Sequence, residues 1–162
     1  SLITPELEAD PWHILTFQNQ PLQAAAALAV LDIVEEEGLI ERAVVIGKRA
    51  RERFLEMSQR YDVIGDVRGP GLFIGVDLVL DRESREPATE ACSGALDYAL
   101  DIGLLTYFGG AGNVLKFKPP AVTSDEDVEA MLDRCEQVIA YVERLVHAGR
   151  TGTAPDPMGA AT

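Results

Sequence analysis

Between residues 63 and 79 the sequence VIGDVRGPGLFIGVDLV carries the two-residue alternation of extended chain. Val63 and Ile64 are β-branched and begin one strand, which Gly65-Asp66 and Arg68-Gly69-Pro70-Gly71 punctuate. Leu72 to Val79 predicts a second strand, with Leu72, Ile74, Val76 and Leu78 on one face and Phe73, Gly75, Asp77 and Val79 on the other. The two form a strand pair around a tight crossing. Gly69 and Gly71 beside Pro70 point to backbone angles a side chain would forbid, and Gly75 within a strand points to close approach by another element. On these residues alone a glycine-rich hairpin in any α+β domain reads equally well.

The flanking segments switch to helical spacing. Thr4-Pro5-Glu6-Leu7 fits a helix start that Pro11 stops, leaving a linker-like entry. Pro21 opens a long helix whose residues from Leu22 to Val34 are alanine- and leucine-rich and apolar nearly all round, which predicts burial on most faces. Glu35-Glu36-Glu37-Gly38 ends it. A second helix is expected from about Leu39 to Tyr61, with Leu39, Ala43, Ile46, Ala50, Phe54 and Met57 inward. Its other face, Lys48, Arg49, Arg51, Glu52 and Arg53, is expected to be solvated.

Residues 81–87 form a polar loop, and Thr89 is a candidate cap for a helix running to Ile102 and terminated by Gly103. Leu104 to Phe108 predicts a short strand, residues 109–113 a turn, and Val114 to Lys118 a fourth strand. Leu115 and Phe117 share one face of that strand, and Lys116 and Lys118 the other. Ser124 with Asp127 makes an acidic capping box for a last helix reaching about His147. The glycine-, alanine- and threonine-rich stretch after it predicts a disordered tail. Two helices, two strands, a helix, two strands and a helix give an α+β fold, a mostly antiparallel sheet with helices packed on one face.

Composition narrows the function classes. Asp plus Glu number 27 against 14 Lys plus Arg, a formal charge of -13, which argues against a nucleic-acid surface or an anionic membrane. No apolar run reaches the roughly 18 residues of a spanning helix and no signal peptide is visible, so a cytoplasmic location is expected. Cys92 and Cys135 are read as reduced core or near-core thiols, and with His13 and His147 they make no metal site. There is no phosphate-cradling glycine loop of the Walker or dinucleotide type and no nucleophile–base set at informative spacing, so no catalytic residue is assigned within this chain.

Three blocks in order, HILTF before Pro21 (residues 13–17), IGDVRGPGLFIGVDLV (64–79) and NVLKFKPP (113–120), resemble the carboxy-terminal part of class III, ornithine-type, pyridoxal-phosphate-dependent aminotransferases, with a texture also similar to dialkylglycine decarboxylase and ethanolamine-phosphate phospho-lyase. The resemblance covers roughly Thr4 to Leu145. It implies the small domain of a fold type I enzyme, with residues 1–20 as linker and cofactor-phosphate loop, 21–147 as the C-terminal small domain and 148–162 as the tail. It also implies a homodimer or tetramer with a shared active site, small-molecule amine and keto-acid substrates, and no nucleic-acid or membrane partner. The cofactor it implies is pyridoxal 5'-phosphate, held in the family as a Schiff base by a lysine and at its ring nitrogen by an aspartate, both upstream of the Thr16 block. Thr16, with Phe17 beside it, matches the position that reaches the cofactor phosphate of the other subunit, although Gln18-Asn19-Gln20 departs from the usual glycine and asparagine there.

Lys116 falls where most of the family clamps the substrate α-carboxylate with arginine, and the phospho-lyases are similar to this chain in having lysine there. A lysine does not reproduce the bidentate fork, so a phosphorylated or other non-amino-acid amine is a live substrate; an edge-strand lysine facing solvent is the plainer reading. Arg68 is expected to tie the hairpin to a neighbouring acid. Three functional readings follow: an aminotransferase, a lyase or decarboxylase on the same scaffold, and a stand-alone binding domain. Lys48, Lys116 and Lys118 are the only lysines and none has the Schiff-base context, so the chain is expected to be inactive alone, and its apolar helix adhesive.

Overall fold

The structure is a computed structural model that describes residues 20–151, so the expectations for Thr4 to Pro11, for Thr16 and Phe17, and for the last eleven residues lie outside the described residues. The chain divides after Gly38 into two units. In the first, helix α1 (Pro21–Glu36) begins as expected with Pro21 in its first turn, and Gly38, at φ 59°, ends it with its amide donating to the Glu35 carbonyl. The expected burial is not found. No residue of α1 is buried, and Leu22 is 80% exposed. An all-round apolar helix is covered only by what packs on it, and its own composition cannot supply that partner.

The second unit contains α2 (Leu39–Met57), β1 (Ile64–Arg68), β2 (Ile74–Leu78), α3 (Thr89–Asp101), β3 (Phe108–Gly109), β4 (Val114–Phe117) and α4 (Asp125–Thr151). The strands form one antiparallel sheet in the order β1-β2-β4-β3. Alternation sends Val67, Ile74, Val76, Leu78, Leu115 and Phe117 into one core with the helices, which all lie on that face. Phe54 of α2 meets Phe117 edge-on with centroids 5.7 Å apart, and Tyr98 of α3 stacks on Tyr141 of α4 at 4.3 Å. Cys92 and Cys135 are buried there as free thiols, and burial pushes each up to about 12.

The hairpin turn packs on α2 through two glycines. Gly69 (φ 122°) and Gly71 (φ 50°) occupy the left-handed region anticipated for them. Gly47 of α2 faces the turn so closely that a Cβ there would sit 2.2 Å from the Gly71 carbonyl oxygen.

Four local expectations are corrected. The basic face of α2 is not simply solvated: Arg53 lies 2.6 Å from Asp133 and 3.3 Å from Glu129, Arg49 lies 3.0 Å from Glu129, and Arg42 donates to Asp125 at 2.8 Å. These acids line α4, some eighty positions away in sequence, so no local spacing shows the pairing. Thr89 does not cap α3. Ala88 holds the cap position, and the Thr89 hydroxyl donates instead to the Ala111 carbonyl at 2.9 Å. Residues 104–107 are not a strand, because the Gly103 and Leu104 amides fold back onto the Leu100 and Ala99 carbonyls and hold the segment to the end of α3. Helix α2 stops at Met57, not near Tyr61, and Arg82 donates to the Tyr61 carbonyl at 2.9 Å and to the Ser58 and Asp62 carbonyls beyond the helix end. The capping box is present: Ser124 Oγ accepts from the Asp127 amide at 3.1 Å and donates to its carboxylate at 2.6 Å.

Glu136 of α4 collects the densest set of donors, Arg60 at 2.6 Å, Tyr61 at 3.2 Å and Arg53 at 3.4 Å. Burial raises its pKa, but these donors outweigh it and the carboxyl is held below its ordinary value. A depressed carboxyl stabilises the fold above its unfolded pKa and loses that stabilisation as pH falls through the folded value. Glu136→Gln should therefore cost about 1–2 kcal/mol at neutral pH. That difference should begin to shrink as pH falls below the ordinary glutamate value of about 4.3 and be lost only once pH has passed the lower folded value, as urea unfolding at a series of pH values would measure. Gly47→Ala should cost about 1–3 kcal/mol through overpacking against the turn, read as a lowered Tm.

Candidate active-site face

The sheet face opposite the helices is built by the other half of the same alternation. Strand register sets Arg68, Gly75 and Lys116 side by side across β1, β2 and β4, and sets Asp66, Asp77, Val114 and Gly109 in the neighbouring row. Gly75 carries no side chain, so a hollow opens between Arg68 and Lys116. Phe73, Val114 and Lys118 complete the walls of this cleft of about 330 Å³.

The two sides of the cleft differ in how their cations are used. On one, Asp66 and Asp77 lie directly opposite each other on β1 and β2, an arrangement that like charges disfavour. Arg68 Nη1 sits between them, 3.0 Å from Asp66 and 3.3 Å from Asp77, which bears out the structural role expected of it. Asn113, buried, donates to Asp77 at 2.6 Å and to the Leu78 carbonyl at 2.9 Å. Asp77 is thereby held on both oxygens.

On the other side, Lys116 and Lys118 both approach the hydroxyl of Tyr107, at 3.3 and 2.8 Å, and both ammoniums lie within 5.0 Å of its ring centre. Lys118 is also 5.3 Å from the Phe73 ring centre. The lysines, Lys118 first, draw the Tyr107 phenol below its ordinary pKa. Lys116 reaches this position by lying across Gly109, where a Cβ would meet its Cε at 2.2 Å. Among the described residues no carboxylate is within ion-pair distance of either ammonium, and no group of acids, histidines and cysteines could hold a metal ion. Two ammoniums and a phenol fit an anionic oxygen group.

The model of the family described as Aminotransferase class-III matches residues 4–139 of the chain. The chain belongs to the class III aminotransferases. It is 41% identical over 140 residues to the leucine/methionine racemase of Thermococcus litoralis, covering 86% of this chain and 30% of that enzyme. An amine transaminase from an uncultivated Pseudomonas species, solved with pyridoxal phosphate bound, superposes with a TM-score of 0.71 at 37% identity over 79% of this chain and 29% of that one. A phospholyase from Arthrobacter in complex with phosphoethanolamine gives 0.68 at 36% identity, over 74% and 29%. The chain spans about three-tenths of the length of the relatives it matches, and the fold is that of the corresponding part of pyridoxal-phosphate-dependent transaminases. Pyridoxal phosphate is the cofactor this class III family implies.

Of the residues predicted for the site, Lys116 is placed on the open face at the cleft, and Thr16 and Phe17 lie outside the described residues. Tyr107 was read only as part of an apolar strand. The Lys-Phe-Lys alternation already put Lys116 and Lys118 on one face, but it does not point to Tyr107, nine and eleven positions earlier at the start of the β3–β4 hairpin. Within this class III face, Arg68→Met should leave Asp66 and Asp77 unscreened and cost about 1 kcal/mol. Adding Asp66→Asn to that variant should recover most of the loss, read by chemical denaturation.

Proposed function

We propose that the chain is the small-domain part of a pyridoxal-phosphate-dependent enzyme that moves an amino group between an amine or amino acid and a keto acid. The supporting observation is the cleft on the open sheet face of a class III chain, with Lys116 at its edge. Pyridoxal phosphate, when bound, supplies an electron sink for negative charge at the carbon bearing the amine. In this reading Thr16 and Phe17 contribute to the cofactor-phosphate loop, across the interface of a cytoplasmic homodimer or tetramer. Lys116 holds the anionic end of the substrate at the cleft and orients its amine away from the sheet.

Neither the Schiff-base lysine nor the aspartate for the ring nitrogen is assigned to this chain. Lys48 stands on the exposed side of α2, 4.0 Å from Glu52, and the other two lysines are engaged with Tyr107. Those two roles are proposed to fall to the rest of the enzyme.

A second reading, a lyase or decarboxylase on the same scaffold, is favoured by Lys116 standing where an arginine fork would suit an α-carboxylate. The likeness to a phospholyase supports it too, and the racemase relative adds inversion at the same carbon. These reactions share attachment of the amine and differ in the bond made or broken next to it.

Acceptor dependence separates them. With the intact protein, transamination should consume a keto acid in step with the amine donor. Release of phosphate or ammonia without an acceptor would favour the lyase, and inversion with neither would favour a racemase. The 162-residue chain on its own should turn over no amine, and turnover by it would overturn this division of roles. An intact protein that takes up no pyridoxal phosphate would leave the binding-domain reading.

A further inference from the structure

We propose that Asn113 is a positioning residue for the cleft: its pair with Asp77 fixes the β3–β4 turn, and through Gly109 in that turn it sets where the Lys116 ammonium stands. The inference rests on the reading that Lys116 holds the anionic end of the substrate, and it adds the residue on which the reach of that lysine depends.

Asn113 ties the turn to the sheet through both its side chain and its main chain. The side-chain amide has two hydrogens to give, and both go to β2, one to the Asp77 carboxylate at 2.6 Å and one to the Leu78 carbonyl at 2.9 Å. The main-chain carbonyl accepts from the Leu78 amide at 2.9 Å, and the main-chain amide donates to the Gly109 carbonyl at 3.2 Å. The residue is 5% exposed. A partner left unmatched there has little water to turn to, so each bond is costly to lose.

Gly109 carries this constraint to the lysine. Its carbonyl takes the amides of both Gly112 and Asn113, which closes the turn. On its open side the Lys116 stem runs across it so closely that a Cβ there would overlap Cε and Nζ. Val114 wedges the same turn against the sheet: Cβ atoms added to Gly75 of β2 and to Gly110 of the turn would lie 3.0 and 2.9 Å from its two γ carbons. Register with β2 fixes the main chain of β4. What the turn controls is the surface that the Lys116 side chain leans on, and hence the direction in which it extends.

The surroundings of Asp77 call for a neutral donor at position 113. Its Oδ2 is met by Arg68 at 3.3 Å and by Arg85 at 3.9 Å, and Asp66 faces it across the strand pair. On the core side lies the Cys92 thiol of α3, which the Asp77 charge helps to push up. An amide completes this set without adding charge. A carboxylate in its place would set two like charges at hydrogen-bond distance, and one of them would take up a proton.

The test compares two amines of similar length, β-alanine with an anionic end and propylamine without one. Each is titrated into the intact, cofactor-saturated protein and followed by the change in cofactor absorbance, and the quantity read is the preference for β-alanine. Lys116→Met should reduce that preference roughly tenfold or more, the worth of a hydrogen bond to a charged group. Asn113→Ala should reduce it roughly fivefold, the worth of an ordinary one. Asn113→Asp should reduce it at alkaline pH and recover as pH falls and the carboxyl pair takes up a proton that it can share. Joining Asp77→Asn to Asn113→Asp should restore most of the preference at every pH, because amide and carboxylate have then changed places. Val138→Ala, in the core on α4, should lower the melting temperature and leave the preference alone.

A folded Asn113→Ala protein with undiminished preference for β-alanine would overturn the proposal. So would an Asn113→Asp defect that does not change with pH, or an equal loss of preference in Val138→Ala, which would make the effect one of stability alone. Should Asn113→Ala fail to fold, the pH dependence of Asn113→Asp decides. Failure of the underlying reading looks different: Lys116→Met would itself leave the preference unchanged, and the proposal would fall with it.

Discussion

A one-residue slip of β4 against β2 would exchange the two faces of the strand, driving Lys116 into the core and turning Leu115 and Phe117 outward. The observed register prevents this: Ile74 pairs with Phe117 and Val76 with Leu115, all four buried against the helices. Burying three or four such side chains stabilises the register by several kcal/mol at about 1.5–3 kcal/mol each. No surface ion pair approaches that. The position of the cations on the open face is thus set by the apolar residues behind them.

The helix layer transmits the same constraint. Phe54 against Phe117 places α2 over β4, and Gly47 admits the hairpin turn to the surface of α2. The ion pairs between α2 and α4 then bind together two helices whose apolar sides already face the core. They are half-exposed and individually worth little. Their value is collective and lies in fixing how the helices lie along one another. Glu136 shows this best, since Arg53, Arg60 and Tyr61 reach it from one helix and the turn that follows.

Much of this was legible in the residues. The alternation in residues 72–79 and 114–118 predicted which side chains enter the core, and Gly69 and Gly71 predicted a left-handed turn. Arg68 was expected to meet an acid and meets two. What was not legible is mostly non-local. The partners of Arg49 and Arg53 lie on α4, and nothing near Thr89 announces that the Ala111 carbonyl will take its hydroxyl from the helix end. Helix α1 shows a related failure. An apolar composition states that a surface will be covered without stating by what, and within its own unit α1 has no buried residue. At the site, Lys116 was found through its family position, and Tyr107 only once β4 and the preceding segment were folded together.

The strand order has a further consequence for how this face comes into being. Strands β1 and β2 are joined by a short turn and can pair early from local contacts. Strand β4 docks on β2 only after the excursion from Leu78 to Val114, which contains all of α3. Closing that loop is an entropic cost that must be met before the pairing rewards it. The hairpin with its acids and Arg68 therefore exists, in a partly folded chain, before Lys116 and Lys118 arrive beside it. The cluster of Tyr107, Lys116 and Lys118 is local to the β3–β4 hairpin, with the lysines nine and eleven positions from the tyrosine. The long-range closure of β4 on β2 is therefore what brings that cationic hairpin beside the acidic one, and the cleft between them exists only once it has closed.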